Sequence, residues 1–202
     1  MKITHLILTH NFAGSERYAI ELANQQSKTH EVSIVISPQA AQPRTQALLH
    51  RIDPAVNIFV LKNSLPLLQI FEARRLLNKI NPDIAHGHLS TACRALSKYS
   101  GPSKRVATLH IYYKKQQHAK LDGLIAIAPW QLADIPEKLL GHTTQIDNWT
   151  ANKIAETSQR ELLRKQYDIK PTDILIGGLG RTVESKGFET LIKAFRQSNI
   201  PN

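Results

Sequence analysis

Apolar segments of strand length alternate with amphipathic segments of helix length along almost the whole chain, and this alternation constrains the fold more than any other feature. Segments such as "EVSIVIS" (31–37) and "DILIGGL" (173–179) are rich in apolar and β-branched residues, as expected of parallel strands that are covered on both faces. The pattern predicts strands at 3–9, 31–37, 56–61, 83–88, 105–110, 123–128, 143–146 and 173–179.

Helix-forming segments fill the gaps between these strands. In the first of them, Tyr18, Ala19, Leu22 and Ala23 form one apolar stripe, and Ser15 stands where it can cap the first turn. The predicted helices are 15–28, 43–51, 65–80, 89–100, 129–134, 156–167 and 188–198. Strands and helices in this alternation build a doubly wound parallel sheet, so the predicted fold class is α/β and Rossmann-like.

The polar segment "IDNWTANKIAE" (146–156) is the best candidate for a domain boundary, because it follows the last strand of the first sheet and leads into a charged helix. Residues 1–150 are therefore predicted to form one complete domain. Residues 151–171 are predicted to form a linker and a helix. Residues 172–202 are expected to supply the first strand and helix of a second, incomplete Rossmann-like domain.

The charge balance indicates an anionic partner, since 26 lysines and arginines outnumber 16 aspartates and glutamates and give a net charge of +10. Nucleic acid, an anionic membrane surface or phosphorylated small molecules fit this charge, as do scattered lysines that only aid solubility. No helix-turn-helix, zinc or RNA-recognition motif is present, so we predict no nucleic-acid partner. The single cysteine, Cys93, and the lack of an apolar run of membrane-spanning length predict a cytoplasmic protein that is at most peripheral at the membrane.

The loop after the first strand, in "THNFAGSERYAIELA", is the first candidate binding site. Ligands of open α/β sheets lie at the carboxyl ends of the strands. Gly14 allows a ligand to approach the backbone closely, and the helix that begins at Ser15 offers free amide donors to a phosphate or a sugar hydroxyl. A plain glycine turn that leads into a helix explains the same residues, and the pattern alone favours that explanation.

Histidines end two other strands. His110 ends "RVATLH" at the same edge as the Gly14 loop, where it bonds a substrate hydroxyl, moves a proton or is an ordinary surface histidine. We expect Gly14 and His110 to share one cleft. His86 and His88 end the preceding strand and point the same way, but no Cys, Asp or Glu stands beside them at ligand spacing, so we predict no metal site.

Two cations, Arg181 and Lys186, flank the loop that leaves the last predicted strand at Gly180. Cations on a glycine-started loop beside a helix N-terminus form a good clamp for a diphosphate. An ordinary exposed basic turn has the same spacing.

Two apolar stretches, "LPLLQIFEARRLLNK" (65–79) and "HIYYKKQQHAK" (110–120), carry several cations each. Apolar surfaces edged with cations can lie on anionic lipid. For the first stretch, a helix that packs on its sheet and leaves its basic residues in water is the commoner arrangement.

Taken in order, these segments resemble a bacterial glycosyltransferase of family 4 (group 1), which has the GT-B fold of two Rossmann-like domains. "AGSERYAIELA" is similar to the family's glycine-rich opening loop and long helix, with Ala13-Gly14 where the family usually has two glycines. "VATLH" is similar to the strand that ends in the family's histidine. "LDGLIAIAPWQ" resembles a segment that usually reads Asp-x-Ile-Ile-x-x-Ser, with Ala128 in place of the serine.

Two further segments extend the resemblance to the end of the chain. "QIDNW" resembles the linker into the second domain, without its common proline. The most specific match is "LRKQYDIKPTDILIGGLGRTVESKGFETLIKAF", which contains the family's Gly-Arg at Gly180 and Arg181 and its Lys-Gly at Lys186 and Gly187.

The resemblance implies a retaining enzyme that transfers a sugar from a nucleotide-diphosphate sugar to a glycan or glycolipid, in lipopolysaccharide or surface polysaccharide synthesis and without a further cofactor. It makes 1–150 the acceptor-side domain. It also implies a role for each candidate residue: catalytic His110; donor-binding Gly14, Arg181 and Lys186; and acceptor-side Ser15, Glu16 and Tyr112.

The family's glutamate pair, which holds the donor sugar and ribose, has no counterpart in the 202 residues. The chain alone is therefore expected to be inactive. The alternative is a non-catalytic acceptor-binding module that works with a separate chain carrying the donor domain.

Overall fold

The computed structural model describes residues 1–150 and 156–198, which belong to two compact units divided between Thr150 and Ala151. The division lies within the segment 146–156 that the sequence indicates as a boundary. Residues 151–155 of that segment and residues 199–202 of the predicted second domain lie outside the described residues.

The first unit is built on seven strands: β1 (Lys2–Ile7), β2 (Glu31–Ile36), β3 (Asn57–Val60), β4 (Ile84–His88), β5 (Lys104–Leu109), β6 (Gly123–Ala126) and β7 (Thr143–Gln145). They form one sheet in the order β3-β2-β1-β4-β5-β6-β7, and every neighbouring pair is parallel. Each strand overlaps a predicted one. The predicted doubly wound α/β fold is confirmed.

The α-helices of the described residues are α1 (Gly14–Gln26), α2 (Pro66–Ile80), α3 (Leu89–Ser97), α4 (Lys115–His118), α5 (Glu137–Leu140), α6 (Thr157–Gln166) and α7 (Phe188–Gln197). The helix predicted at 43–51 is wrong, since only a short 3-10 turn at Leu49–Arg51 forms there. The backbone of this segment bonds to other loops: the Leu48 amide donates to the Ala40 carbonyl and the Phe12 amide to the Gln46 carbonyl.

Both faces of the sheet are covered by apolar side chains. On one face, α1 packs on alternate residues of β1 and β2, such as Ile3, Ile7 and Ile34. On the other face, the intervening residues, such as Leu6 and Val35, pack in one core with α2 and α3. Burial on both faces explains why the strands are so continuously apolar.

The second unit contains α6 and α7, but the strand predicted at 173–179 is wrong, because the structure forms no strand there. Ile174, Leu175 and Leu179 are 71%, 66% and 103% exposed. An extended segment becomes a strand only when a neighbouring strand pairs with its amides and carbonyls, and no described strand does so here. The Asp173 amide instead donates to the Lys170 carbonyl, and the Asp173 carbonyl accepts from Arg164. Among residues 1–150 and 156–198, no helix has the length and apolar character needed to cross a membrane.

Candidate active site

The strand order reverses between β1 and β4, which are neighbours in the sheet although they are far apart in the chain. The carboxyl ends of strands at such a reversal open a crevice, which is the usual ligand site of doubly wound sheets. Three pieces of chain reach it here: α1 begins at Gly14 shortly after β1, His88 ends β4, and His110 directly follows β5.

A cleft of about 280 Å³ opens at this point, and Gly14, Ser15, Tyr18, His110 and Asn148 are among the residues around it. The expectation that Gly14 and His110 share one cleft is therefore confirmed. Their roles toward a ligand stay predictions.

The start of α1 lies at the cleft, with Gly14 and Ser15 among the residues around it. The N-cap is Ala13, and the prediction that Ser15 caps the helix is wrong, because the Ser15 hydroxyl donates to the Glu16 carboxylate at 3.0 Å. A Cβ placed on Gly14 would meet no atom within 4 Å. The fold itself leaves this position open, and the first amides of a helix lack partners inside it, so both features suit a bound anion or hydroxyl.

Two predicted acceptor-side residues lie away from this cleft. Glu16 is buried, at 4% exposure, and is not among the residues around the cleft. Tyr112 packs edge-on against Trp130, with ring centroids 5.4 Å apart, and both side chains are exposed. Tyr112 and His110 border a separate cavity of about 20 Å³, which has room for one water.

Tyr18 and Trp149 form an aromatic wall that the sequence did not indicate. The Tyr18 ring stands edge-on to His110, at 5.2 Å between centroids, and contacts the Trp149 ring at 4.4 Å. Trp149 is held by α1: its indole N–H donates to Glu21 at 2.7 Å, and its carbonyl accepts from Arg17 at 2.9 Å. Burial raises the pKa of Tyr18 above its usual value, so the phenol stays neutral and is able to donate.

Behind His110 runs a line of hydrogen-bonded side chains that we call the histidine chain: Gln26, His5, His88 and His110. Gln26 Oε1 lies 2.7 Å from His5 Nε2, and His5 Nδ1 lies 3.1 Å from His88 Nε2. His88 Nδ1 lies 3.2 Å from His110 Nε2. His86 stands beside the chain and bonds through Nε2 to the Thr108 hydroxyl at 2.9 Å.

Strand register explains how these residues meet. His5 of β1 is opposite His86 of β4, and His88 is opposite Thr108 of β5. Because every second residue of a strand points to the same face, all of these rings lie under α1. Local spacing indicated only the pair at 86 and 88; the participation of His5 depends on β1 and β4 being neighbours.

Burial keeps the rings of the chain uncharged. It lowers the pKa of His5 and of His110 to about 4, and it lowers the pKa of His86 and His88 well below the usual histidine value. Near pH 7 each ring therefore carries one N–H and one lone pair, so that each is able to donate one hydrogen bond and to accept another.

His5, His86 and His88 also offer three ring nitrogens within 4.8 Å of one another, close enough to hold one metal ion. The chemistry favours hydrogen bonds instead. Two of these rings already bond to each other, and no carboxylate of a described residue joins the group to balance a divalent charge in a dry core. The absence of a metal stays a prediction.

Gln131 fixes the backbone around His110. Its side chain is fully buried; its amide nitrogen donates to the carbonyls of Leu109 and Ile111, at 2.6 and 2.7 Å, and its Oε1 accepts from the Ile127 amide at 2.7 Å. The carbonyls on both sides of His110 are thus tied to one side chain. His110 is held through its ring by the histidine chain and through its backbone by Gln131.

Arg181 and Lys186 lie in the second unit, on an exposed loop. A Cβ on Gly180 would lie 3.5 Å from Lys186 Cγ, so the loop folds back on its own start. Gly187 ends the loop with φ 67°, a left-handed conformation that favours glycine. Neither cation forms an ion pair with a described residue, which leaves both free for an anion.

The family described as Glycosyltransferase Family 4 matches residues 12–174. No curated protein sequence matches the chain at a significant level. Among the solved structures similar to it are three glycosyltransferases. A glycosyltransferase from Rickettsia africae has a TM-score of 0.71 and 17% identity, over 98% of this chain and 57% of that one. HepE from Anabaena, in complex with UDP and glucose, has a TM-score of 0.74 and 17% identity, over 100% and 59% of the two chains.

The third is the apo form of the lipopolysaccharide outer core galactosyltransferase WaaB, with a TM-score of 0.51 and 16% identity over 76% of this chain and 47% of that one. At these identities the likeness shows the fold, which is that of GT-B glycosyltransferases. The chain spans less than two thirds of the length of each of these structures. The family match covers well over half of the chain, which therefore belongs to glycosyltransferase family 4.

Proposed function

We propose that the chain carries the acceptor-side half of a retaining glycosyltransferase that moves a sugar from a nucleotide-diphosphate sugar to a glycan or glycolipid. The observation that carries this proposal is the cleft at the strand reversal, where free helix amides at Gly14 and a neutral, rigidly held His110 face the same space. Both groups suit a sugar phosphate, which has hydroxyls and an anionic group.

In this proposal His110 bonds a hydroxyl of the reacting sugar, and the α1 amides bond the donor phosphate or an acceptor hydroxyl. Arg181 and Lys186 bind the donor diphosphate and stabilise the charge that develops as it departs, which is the main electrostatic need of the reaction. The nucleotide sugar is the donor substrate, and no other cofactor takes part.

The acceptor belongs to lipopolysaccharide or another surface polysaccharide, and the enzyme acts in the cytoplasm at the inner face of the membrane. The fold likeness to an outer core galactosyltransferase supports the acceptor class. The exposed apolar side chains on α2, among them Leu67 and Phe71, support contact with an anionic membrane surface, because Arg75 and Lys79 on the same helix are also exposed.

We further propose that the 202 residues alone do not transfer sugar. The loop that carries Arg181 and Lys186 follows residues 173–179, which form no strand. Among the described residues, no sheet therefore anchors the two cations. A displacement of catalytic groups by about 1 Å is enough to cost on the order of 100-fold in rate.

The test is nucleotide release from UDP-, GDP-, ADP- and CDP-sugars with a panel of glycan acceptors. We expect no release by the 202-residue chain and steady release once a complete donor domain is supplied, in the same polypeptide or as a second chain. In the active combination, His110→Ala should lower kcat/KM by roughly 100-fold, as removal of a transition-state contact does. The matched control is His50→Ala, at an exposed position.

Each other outcome is informative. Turnover by the 202-residue chain alone would refute the proposed inactivity. Turnover that is unchanged in His110→Ala would remove His110 from the mechanism. Acceptor binding by the chain without turnover in any combination would favour the non-catalytic acceptor-binding module.

A further inference from the structure

We propose that Gln26, acting through His5 and His88, sets the tautomer of His110 and leaves His110 Nδ1 as a hydrogen-bond acceptor for a sugar hydroxyl. Gln26, His5 and His88 are then positioning residues, and the ligand group recognised at His110 is a hydroxyl that donates its proton. This inference rests on the proposed role of His110, but the tautomer itself can be measured without any reaction.

The direction of the chain follows from its first member. Gln26 presents its carbonyl oxygen, which only accepts, so His5 Nε2 carries the hydrogen and donates at 2.7 Å. A neutral imidazole has one N–H, so His5 Nδ1 is a lone pair and must accept. The hydrogen of the next bond, 3.1 Å long, therefore belongs to His88 Nε2.

The same argument applies to the following ring. His88 Nδ1 is a lone pair, so the bond of 3.2 Å to His110 has its hydrogen on His110 Nε2. His110 Nδ1 is left as a lone pair. Burial lowers the pKa of all three histidines, which keeps one hydrogen on each ring, so the acceptor at Gln26 Oε1 determines the direction.

The chain has a second consistent arrangement, which is the reverse of the first. If the group at position 26 donated to His5 Nε2, each ring would move its hydrogen to Nδ1, and His110 Nδ1 would become a donor. Two neutral nitrogens bond only when one donates and the other accepts, so mixed arrangements lose a buried hydrogen bond. The side chain at position 26 thus decides whether His110 Nδ1 is a donor or an acceptor, although three hydrogen bonds separate it from His110.

Position 26 is also suitable for a test, because Gln26 is the last residue of α1 and is only partly buried. Gln26→Glu offers only acceptors and keeps the direction. Gln26→Lys offers only donors and reverses it. Gln26→Met has a similar length and does neither, so it leaves the direction open. The three variants differ in hydrogen bonding at one helix end and leave the sheet intact.

The experiment is long-range ¹H–¹⁵N correlation of the ¹⁵N-labelled 202-residue chain at pH 7.5, which shows which ring nitrogen of each histidine carries hydrogen. We expect the Nε2–H form for His5, His88 and His110 in the unmodified protein and in the Gln26→Glu variant. In Gln26→Lys all three should become Nδ1–H, and in Gln26→Met they should give mixtures. His50 is exposed and is not a member of the histidine chain, so it is the internal control and its tautomer should not change.

An Nδ1–H form of His110 in the unmodified chain would overturn the proposal, as would a Gln26→Lys variant in which His5 changes and His110 does not. So would a change at His5, His86 and His88 on adding Zn²⁺ that a chelator reverses, because it would identify these rings as metal ligands. With a donor domain present, Gln26→Lys should lower kcat/KM by roughly 10-fold, the worth of one hydrogen bond, whereas Gln26→Glu should retain it. Reversed tautomers with unchanged turnover would refute the role of His110 and leave the chain's direction established.

Discussion

The edge of the sheet near His110 and the loop at 180–187 look alike in sequence and differ in structure. In each region, an apolar run of the sequence leads into a polar or glycine-containing turn, and a helix follows the turn. In the first unit β5 lies between β4 and β6, and the turn that follows it is fixed by Gln131 and by the histidine chain. In the second unit the run 173–179 forms no strand and its side chains are exposed. An apolar pattern in the sequence therefore does not define a strand by itself. Neighbouring strands are needed to pair with its backbone and to bury its side chains.

The strongest test of this difference makes the same substitution in a paired strand of the first unit and in the unpaired run 173–179 of the second. Ile34 in β2 is fully buried, and Ile174 in the unpaired run is 71% exposed. Ile34→Asp places an unpaired charge in the core and should cost more than about 4 kcal/mol of the free energy of unfolding, whereas Ile174→Asp should change it by less than about 0.5 kcal/mol. Urea unfolding followed by far-UV circular dichroism measures both.

A loss of several kcal/mol in Ile174→Asp would break the comparison. It would mean that residues 173–179 are buried in solution, for example by a second chain. Ile174→Val is the matched conservative change at the same site, and it should be neutral if the side chain is exposed.

The sequence was sufficient for the sheet because its strands are buried on both faces, and this makes them continuous apolar runs that periodicity detects. It was also sufficient for the cleft between Gly14 and His110, since parallel strands bring their carboxyl ends to one edge. The helix predicted at 43–51 is wrong because the backbone of this segment bonds to other loops instead, as from the Leu48 amide to the Ala40 carbonyl.

Other parts of the site were beyond the reach of local patterns. His5 and Gln26 join the histidine chain only because β1 lies beside β4 and α1 lies over both. Sequence periodicity places Tyr18 in an apolar stripe, and only the fold shows that its ring also contacts His110 and Trp149. A histidine within an otherwise apolar strand, such as His5 in β1, is a signal that could have indicated this network, but its partners follow only from the strand order.

A second, smaller difference between the units is their response to acid, because all histidines of the chain lie in the first unit. The pKa values of His5, His110 and His118 are lowered to about 4 by burial, from 6.5. The unfolded chain therefore binds more protons than the folded one between these values, and the first unit loses stability as the pH falls from 6.5 to 4. At pH 5 the loss is roughly 2 kcal/mol for each such histidine.

Urea unfolding at pH 7.5, 6 and 5, followed by tryptophan fluorescence, measures this loss, since both tryptophans lie in the first unit. His118→Asn should reduce the dependence on pH by the share of one histidine, because an asparagine oxygen can still accept from the Lys114 amide as His118 Nδ1 does at 2.9 Å. His50→Asn, at an exposed position, should leave it unchanged. Stability that is constant from pH 7.5 to 5 would mean that the rings are hydrated rather than buried.

The smallest expected effect is weak binding to lipid vesicles, for which each of the two units has a candidate contact surface. Each exposes leucines near cations: Leu67 on α2 is 76% exposed, with Arg75 and Lys79 on the same helix, and Leu175 is 66% exposed, ahead of the loop that carries Arg181. We expect the first unit to make the contact. A helix holds its apolar and basic side chains on one face, so few of them must be ordered when the surface is met.

Attraction of about 1 kcal/mol per basic residue near an anionic surface is enough for weak, reversible binding that salt weakens. Sedimentation with vesicles of phosphatidylglycerol and phosphatidylcholine at low salt should retain part of the chain. Leu67→Ser should lower retention several-fold, since one buried leucine contributes on the order of 1.5–3 kcal/mol, and Leu175→Ser should leave it unchanged.

A further basic apolar surface of the first unit consists of Ile111, Tyr112 and Lys114, which are also exposed. The double change of Leu67 and Tyr112 to serine should therefore lower retention further. No retention at low salt would refute the membrane contact. Loss of retention in Leu175→Ser alone would transfer the contact to the second unit and would show that its apolar run, although unpaired, has a binding role.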